Sequence, residues 1–239
     1  MEWIELKKEG PATIVIMNHA SDNTFSGPFT DEIMSALDAL EADLEVRAVV
    51  FTGGVDKYFS NGLNLGWIAS QPREEVVRFL INFNGMLRRV LIFPKPVVAA
   101  INGHAFAGGF FLACCMDFRF MRRDRGWMCV PEVDLGLTLP PGTVALLESV
   151  MGAGKLNELA LTGKRITGPE AKEMGVVHEV YDRDELLDKA VGFAKQVALK
   201  RPENYAKVKA ALRARVARIM EQEDAEMIRQ EVRKTLDGK

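Results

Sequence analysis

The stretch PKPVVAAINGHAFAGGFFLACCMDFRF, residues 94–120, decides the fold. Its first part, Lys95 to Ile101, is an apolar, β-branched run between turn residues, which predicts a strand buried on both faces. A glycine-containing turn follows, and an apolar helix is predicted to begin near Gly108. Glycine lets the backbone approach a neighbour closely, and the first turn of a helix presents free N–H groups at its positive end. The turn therefore suits either tight packing on a sheet or the binding of a negatively charged atom.

The 239-residue chain has the composition of an ordinary globular protein, with 48% hydrophobic and 27% charged residues. Its net charge of −2 provides no positive field of the kind that recruits nucleic acid. Cys114, Cys115 and Cys129 lack metal-type spacing, and the three histidines are scattered. We therefore expect buried core cysteines and no metal site.

The N-terminal sequence MEWIELKKEG is charged from position 2 and has no apolar core of the signal-peptide type. No apolar run approaches the roughly 18 residues that a membrane-spanning helix needs. The C-terminal sequence TLDGK does not match a peroxisomal Ser-Lys-Leu signal. From these observations we expect a cytoplasmic protein without a membrane segment.

Strands and helices alternate outward from the central stretch. The segments 3–7 and 12–17 are predicted to form a hairpin, and Pro28 opens an amphipathic helix. Residues 48–52 are predicted to form a buried strand, and a long amphipathic helix follows Pro72. This alternation indicates α/β architecture.

The C-terminal part of the chain changes towards helix. Short helices are predicted from Pro141 onward, a strand at 176–180 returns to the main body, and the chain beyond Asp182 is almost entirely helical. We therefore divide the chain into an α/β core, 1–182, and a helical region, 183–239. Such a region seldom folds alone, so we expect it to dock on its own core or on a neighbouring subunit.

Basic residues cluster in this helical region, namely Lys207, Lys209, Arg213, Arg215 and Arg218. We interpret them as a solvated helix face, with a contact to the phosphates of a nucleotide-containing ligand as the alternative. A nucleic-acid surface is disfavoured because four acidic residues follow between 221 and 226.

Three loops carry the functional interpretation: FSNGLNL at 59–65, GHAFAGG at 103–109 and PEVDLG at 131–136. Their order, spacing and character resemble the crotonase (enoyl-CoA hydratase/isomerase) superfamily from about Val15 to Val180. The resemblance includes LTG at 161–163 and AKEMGVV at 171–177. It implies a spiral of ββα units, followed by a helical region that mediates assembly into a homotrimer or a dimer of trimers. It also implies an acyl-CoA thioester substrate, as in fatty acid β-oxidation, and no cofactor apart from the coenzyme A of that substrate.

The resemblance further assigns two backbone N–H groups, those of Leu63 and Gly108, as the oxyanion hole for a thioester enolate. Losing one such hydrogen bond costs roughly 3 kcal/mol of transition-state stabilisation. The substrate-binding residues that we expect around them are Asn23, Thr24, Phe25, Asn61, Gly62, Phe106, Gly109 and Phe111. The segment 23–25 departs from the more usual Ala-Leu-Asn pattern of the family.

The acid/base residues indicate which reaction to expect. Hydratases of the family use two glutamates, and here the first position is Phe111 while the second is kept as Glu132. One carboxylate that faces an apolar pocket suits a proton shuttle, as in Δ3,Δ2-enoyl-CoA isomerases. Dienoyl-CoA isomerases add an aspartate at a position that corresponds to Pro140 here, which disfavours that chemistry. We interpret Asp134 as a turn or helix-cap residue.

Other side chains near the loops receive structural interpretations. Glu148 is predicted to lie on the surface, and His104 to be packed and hydrogen-bonded. Phe59, Trp67 and Phe106 are assigned to the core or to the wall of an acyl pocket.

Alternatives remain open. A hydratase would need another carboxylate, either Asp134 or one from a mobile loop. A catalytically weak homologue would bind acyl-CoA or RNA, although the balanced charge of the tail disfavours RNA and the retention of Glu132 disfavours a loss of catalysis. Thioester hydrolysis and decarboxylation are further chemistries of the same fold.

Overall fold

A computed structural model describes residues 1–237 of the chain, so the last two residues of the predicted helical region lie outside the description. In chain order the elements are β1 (Ile4–Glu9), β2 (Ala12–Met17), α1 (Gly27–Ala42), β3 (Ala48–Gly53), β4 (Tyr58–Ser60), α2 (Leu65–Ala69), α3 (Arg73–Leu91), β5 (Val97–Ile101), β6 (His104–Phe106), α4 (Gly108–Cys115), β7 (Phe118–Arg122), β8 (Trp127–Cys129), α5 (Pro141–Met151), α6 (Ala153–Thr162), β9 (Ile166–Thr167), α7 (Gly168–Glu173), β10 (Glu179–Tyr181), α8 (Arg183–Val197), α9 (Pro202–Gln222) and α10 (Asp224–Asp237).

The larger sheet has the order β1-β2-β3-β5-β7-β10, and all its neighbours except β1 and β2 are parallel. Side chains alternate between its two faces, as the pleat of a strand requires. Val49, Phe51 and Ile101 pack into the main core, whereas Val50 and Val98 pack with α8 on the opposite face. A sheet covered on both faces explains why its strands read as continuous apolar runs.

The smaller sheet has the order β4-β6-β8-β9, in which β4, β6 and β8 are parallel neighbours. The chain alternates between the sheets, because β3, β5 and β7 lie in the larger one and β4, β6 and β8 follow them in the smaller one. Helices follow these strand pairs, which gives the predicted spiral of ββα units. The carboxyl ends of β4, β6 and β8 meet at one edge, so the loops at 59–65, 103–109 and 131–136 lie side by side.

The helix of the central stretch, α4, begins at Gly108 as predicted. All its residues are buried, which explains its sequence of phenylalanine, leucine, alanine and cysteine without a polar face. The three cysteines, Cys114 and Cys115 in α4 and Cys129 in β8, are buried free thiols as expected.

Two predicted strands have different bounds. Strand β5 starts at Val97 instead of Lys95, because the prolines at 94 and 96 have no N–H group to donate to a sheet. Val176 and Val177 precede β10, because both donate their N–H groups to the carbonyl of Ala171 and close the turn after α7.

The helical region docks on its own core. Helix α8 contributes Leu186, Ala190 and Ala194 to the second face of the larger sheet, while α9 packs on α5 and α3 and α10 packs on α3. The division at residue 182 therefore marks a change in sequence character. The helical region after it still contributes to the core, because α8 covers one face of the larger sheet. The region is helical as predicted, and Glu223 lies between its last two helices, α9 and α10.

Lys209 corrects the interpretation of the basic cluster as a solvated face. Its ammonium group is buried and donates to the Asp117 carboxylate at 2.7 Å, and the hydroxyl of Tyr205 donates to the same oxygen. The pattern of basic residues did not reveal this role because Asp117 lies 92 residues earlier in the chain. Lys207, Arg215 and Arg218 are exposed, as predicted.

Within residues 1–237, no helix combines the length and the apolar character that crossing a membrane would require.

Candidate active site

A pocket of about 250 Å³ lies where the loops after β4, β6 and β8 meet. Six of the predicted site residues line it together: Asn61, Leu63, Phe106, Gly108, Phe111 and Glu132. The remaining lining residues are Leu65, Phe83, Ala107, Cys129, Pro131, Asp134, Leu135, Leu137, Gly163 and Arg165. The pocket is thus built by the three loops, with contributions from α3 and from the segment after α6.

Leu63 lines the pocket, and its backbone is held by pairing with Phe25. Phe25 donates its N–H to the carbonyl of Gly62 and accepts the N–H of Asn64, both at 2.8 Å. Because both flanking residues bond Phe25, the N–H of Leu63 points away from it. Within residues 1–237 this N–H donates to no other group.

Gly108 starts α4 directly opposite Gly62. A Cβ atom on Gly62 would lie 2.9 Å from the carbonyl oxygen of Phe106 and 3.3 Å from the nitrogen of Gly108. Gly62 also has a φ of +87°, which favours glycine. As the first residue of α4, Gly108 has no acceptor for its N–H inside the helix, nor one elsewhere in the described chain. Two free backbone donors therefore border one pocket.

Ala107, which precedes Gly108, adopts an uncommon backbone conformation with φ +48° and ψ −120°. An alanine in this region is strained, and such strain is found where the surrounding structure over-determines a functional turn. Ala107 donates its N–H to the carbonyl of Cys129 at 3.1 Å and accepts the N–H of Phe111 at 3.0 Å. These bonds fix the turn that directs the N–H of Gly108.

Glu132 lies in the turn after β8 and is only 7% exposed. Its Oε2 atom is buried and has no hydrogen-bond partner among the described residues. Burial raises the pKa of this carboxyl group to about 7, a larger effect than the lowering by its own backbone N–H. A carboxyl with such a pKa can both accept and return a proton near neutral pH.

The walls around Glu132 are mostly apolar. Phe111 lies one turn into α4 and lines the pocket where the family resemblance places a second glutamate. Cys129 also lines the pocket, and burial raises the pKa of its thiol to about 12. Three leucines line the pocket although about half of each is exposed: Leu65, Leu135 and Leu137.

Two charged residues complete the lining. Asp134 is exposed in the turn after Glu132, consistent with its interpretation as a turn residue, and its carboxylate occupies the space where a Gly163 side chain would lie. The Arg165 guanidinium lies 5.4 Å from the ring centre of Phe106 and 5.8 Å from that of Trp127. Within residues 1–237, no three His, Cys, Asp or Glu side chains are arranged to hold a metal ion.

The structure does not bring the other five predicted residues into the pocket. Asn23 and Phe25 have no exposed surface. The Asn23 side chain accepts the N–H of His19 and donates to the carbonyl of Phe59, which stabilises the local backbone. Thr24 is also buried and donates to Asp22. Gly62 and Gly109 do not line the pocket, and each lies where two backbone segments approach closely.

The spacing role of Gly109 is evident from its neighbour. A Cβ atom on Gly109 would lie 2.3 Å from the carbonyl oxygen of Ser60. No other residue type allows α4 to approach the loop after β4 so closely.

The structural interpretations of nearby residues are confirmed. His104 is buried, and its Nδ1 atom accepts the N–H of Trp127 at 3.1 Å. Phe59 is fully buried in the core, and Trp67 packs edge-on against Phe79. Glu148 is exposed.

Some lining residues were not identified from sequence. Phe83 belongs to the apolar face of α3, and only the fold brings that face to Gly108, where a Cβ atom would lie 2.8 Å from its ring. The loop after Glu132 has apolar residues at alternate positions, namely Val133, Leu135 and Leu137. This pattern could have indicated a binding surface, because clustered exposed apolar residues mark such surfaces. Nothing in the sequence indicated the backbone conformation of Ala107.

Comparisons with curated proteins identify relatives over most of the chain. Enoyl-CoA delta isomerase 3 of Arabidopsis thaliana is 31% identical over 224 residues, which cover 90% of this chain and 94% of that protein. Carnitinyl-CoA dehydratase of Salmonella enteritidis is 31% identical over 213 residues, which cover 89% of this chain and 81% of that protein.

Solved structures share the fold. Human mitochondrial delta3-delta2-enoyl-CoA isomerase superimposes with a TM-score of 0.92 at 22% identity, covering 96% of this chain and 90% of that one. A probable enoyl-CoA hydratase of Mycobacterium tuberculosis gives a TM-score of 0.91 at 22% identity, covering 98% of both chains. The family model described as enoyl-CoA hydratase/isomerase matches residues 7–237. With nearly its whole length matched by this model, the chain belongs to the enoyl-CoA hydratase/isomerase family.

Proposed function

We propose that this enzyme moves the double bond of a 3-enoyl-CoA to the 2-trans position. The observation that carries the proposal is the pairing of Glu132 with Phe111 in one pocket. Glu132 is a buried carboxyl whose Oε2 has no partner among residues 1–237, and an aromatic ring takes the place of the second glutamate. A phenyl ring can neither hold a water molecule nor accept a proton, which favours proton shuttling over hydration.

The reaction needs one base and one place for negative charge. The ionised carboxylate of Glu132 removes a proton from C2 of the 3-enoyl thioester, and the electron pair moves into the conjugated enolate. The protonated Glu132 then returns the same proton at C4, which leaves the double bond between C2 and C3. The carboxyl group ends in its starting form, so no other acid or base is required.

The thioester oxygen of the enolate would accept hydrogen bonds from the N–H groups of Leu63 and Gly108. Both donors border the pocket and have no competing acceptor within the described residues. Donors that are already in place need no reorganisation during the reaction, and each contributes roughly 3 kcal/mol to stabilising the developing charge. The glycines at 62 and 108 let the two backbones approach closely, because an added Cβ at 62 would lie 3.3 Å from the nitrogen of Gly108.

Hydration is the second candidate, and one observation favours it. Asp134 lines the same pocket as Glu132 and is exposed to water. Its carboxylate would be the second group that a hydratase or dehydratase needs to position water. In this case Asp134 would be essential, whereas the isomerase mechanism does not use it.

The remaining features of the proposal follow the family. The substrate is an acyl-CoA thioester, and the reaction uses no cofactor beyond the coenzyme A that the substrate carries. Assembly into a homotrimer or a dimer of trimers and a cytoplasmic location are also proposed. Size-exclusion chromatography with light scattering measures the assembly directly.

Two substrates test the reaction. Purified protein is given a 3-enoyl-CoA and, separately, a 2-enoyl-CoA in water, and each reaction is followed by absorbance. Isomerisation with negligible hydration is the expected result. Rapid hydration without isomerisation would contradict the proposal, and binding of acyl-CoA without either reaction would indicate a catalytically weak homologue.

A further inference from the structure

Helix α5 has no cap of its own. Its N-cap residue, Pro140, provides no side-chain hydrogen bond, and Pro141 has no N–H group. The first N–H of the helix is therefore that of Gly142, which donates to Oδ1 of Asp224 at 2.7 Å. Asp224 is the first residue of α10 and lies 82 residues away in sequence. A carboxylate at this place complements the positive end of α5.

The start of α5 lies close to the junction between α9 and α10. A Cβ atom on Gly142 would lie 2.6 Å from Oδ2 of Asp224, in α10, and 2.4 Å from Cγ of Met220, in α9. Asp224 is only 1% exposed, and its Oδ2 has no hydrogen-bond partner within the described residues. Burying a carboxylate with one oxygen unsatisfied is costly, so a role beyond packing is the better explanation.

Helix α5 ends the loop that carries Glu132. The near end of this loop is held by turn bonds, such as that from the N–H of Leu137 to the carbonyl of Glu132 at 2.9 Å. Thr138 and Leu139 donate no backbone hydrogen bond to any residue within 1–237. The far end of the loop is therefore held by the packing of Leu139 on the core and by α5, which Asp224 caps.

We propose that Asp224 is a positioning residue: by capping α5 from the C-terminal helix, it holds the far end of the loop that carries Glu132. The last helix of the chain thus takes part in the reaction without touching the substrate. The kinetic part of this inference rests on the proposed isomerase function, while its structural part does not.

The test uses the full chain with Asp224→Ala, Asp224→Asn and Ile228→Ala. Asparagine keeps an oxygen for the N–H of Gly142. Ile228 is buried one turn further along α10, so its truncation weakens the same helix without removing the cap. Hydrogen exchange of residues 132–144 and the kinetics of 3-enoyl-CoA isomerisation are measured for each variant.

We expect Asp224→Ala to speed exchange in this segment about tenfold or more, because local opening becomes easier. Its kcat should fall about tenfold with a smaller change in KM, because a displaced base acts on substrate that is already bound. Asp224→Asn should restore most of both properties, and Ile228→Ala should leave the exchange of this segment near that of the parent.

The inference would be overturned if hydrogen exchange of residues 132–144 were unchanged in Asp224→Ala, or equally fast in Ile228→Ala. It would also be overturned if Asp224→Ala showed faster exchange with an unchanged kcat. If the parent protein shows no isomerisation, the proposed function fails. The exchange of residues 132–144 in Asp224→Ala, compared with Ile228→Ala, then decides the structural part of this inference on its own.

Discussion

Gly62 and Gly108 face each other at close range: a Cβ atom added to Gly62 would lie 3.3 Å from the nitrogen of Gly108, and one added to Gly108 would lie 3.6 Å from Cα of Gly62. The loop after β4 and the start of α4 therefore share one junction. The two N–H groups proposed as the oxyanion hole lie on either side of it. A side chain at this junction would separate them.

Gly62→Ala is expected to lower both stability and activity. The new Cβ would lie 2.9 Å from the carbonyl oxygen of Phe106, at a φ of +87°. Strain and displacement should cost about 2 to 3 kcal/mol of stability and roughly a hundredfold in kcat/KM. Gly66→Ala is the matched control, because a Cβ atom there would make only an ordinary contact, 3.5 Å from Oδ1 of Asn64. Equal losses in both variants would argue against the junction.

Glu132→Gln should make the protein more stable at high pH. Burial raises the pKa of Glu132 from 4.5 to about 7, so the folded state binds more protons than the unfolded state between these values. Stability therefore falls as the pH rises from 4.5 to 7, by about 3 kcal/mol for this group. Thermal unfolding should show an advantage of the variant that is small at pH 5 and large at pH 8. A constant difference would contradict this account.

The rate should follow the ionisation of the same carboxyl. Free enzyme must carry Glu132 as a carboxylate, so kcat/KM for isomerisation is expected to rise through an apparent pKa of about 7 and then level off. Asp224, whose pKa burial raises to about 6, is the group to exclude. Asp224→Asn should keep the midpoint of the pH profile. If the midpoint disappears in this variant, the titration belongs to Asp224 and not to Glu132.

Phe111→Glu should introduce hydration. The side chain lines the pocket with Glu132, so a carboxylate there would supply the second group that hydratases of the family use. We expect hydration of 2-enoyl-CoA to rise at least about tenfold over the parent, within the range of one added acid–base group. Phe111→Gln, of similar size to Glu but unable to ionise, is the control. Equal hydration by both variants would show that polarity, and not proton transfer, was responsible.

The sequence was sufficient for the elements whose reasons are local. The strand of Val97–Ile101, the glycine turn and the start of α4 at Gly108 follow from apolar runs and glycine placement. The three loops were grouped by their resemblance to the family, and in the structure they follow parallel strands of one sheet. Glu132 and Phe111 were assigned by the same resemblance.

Features that depend on distant partners could not be predicted. In sequence, Lys209 cannot be distinguished from the exposed basic residues around it, and only its contact with Asp117 explains its burial. Asp224 lies in an acidic run, and its contact with Gly142 depends on the docking of α10. Asn23 and Phe25 were expected to contact substrate, and the structure buries both side chains: Asn23 donates to the carbonyl of Phe59 in β4, and Phe25 packs on Phe83 of α3.

Glu132 is proposed to act without a second acid or base, and a comparison with the other carboxylate of the pocket tests this role. Isomerisation of a 3-enoyl-CoA is measured for Glu132→Gln and for Asp134→Asn, the other carboxylate that lines the pocket. We expect a loss of about a thousandfold or more in kcat for Glu132→Gln and a change within a few fold for Asp134→Asn. Substantial activity in Glu132→Gln, or a comparable loss in Asp134→Asn, would contradict the account.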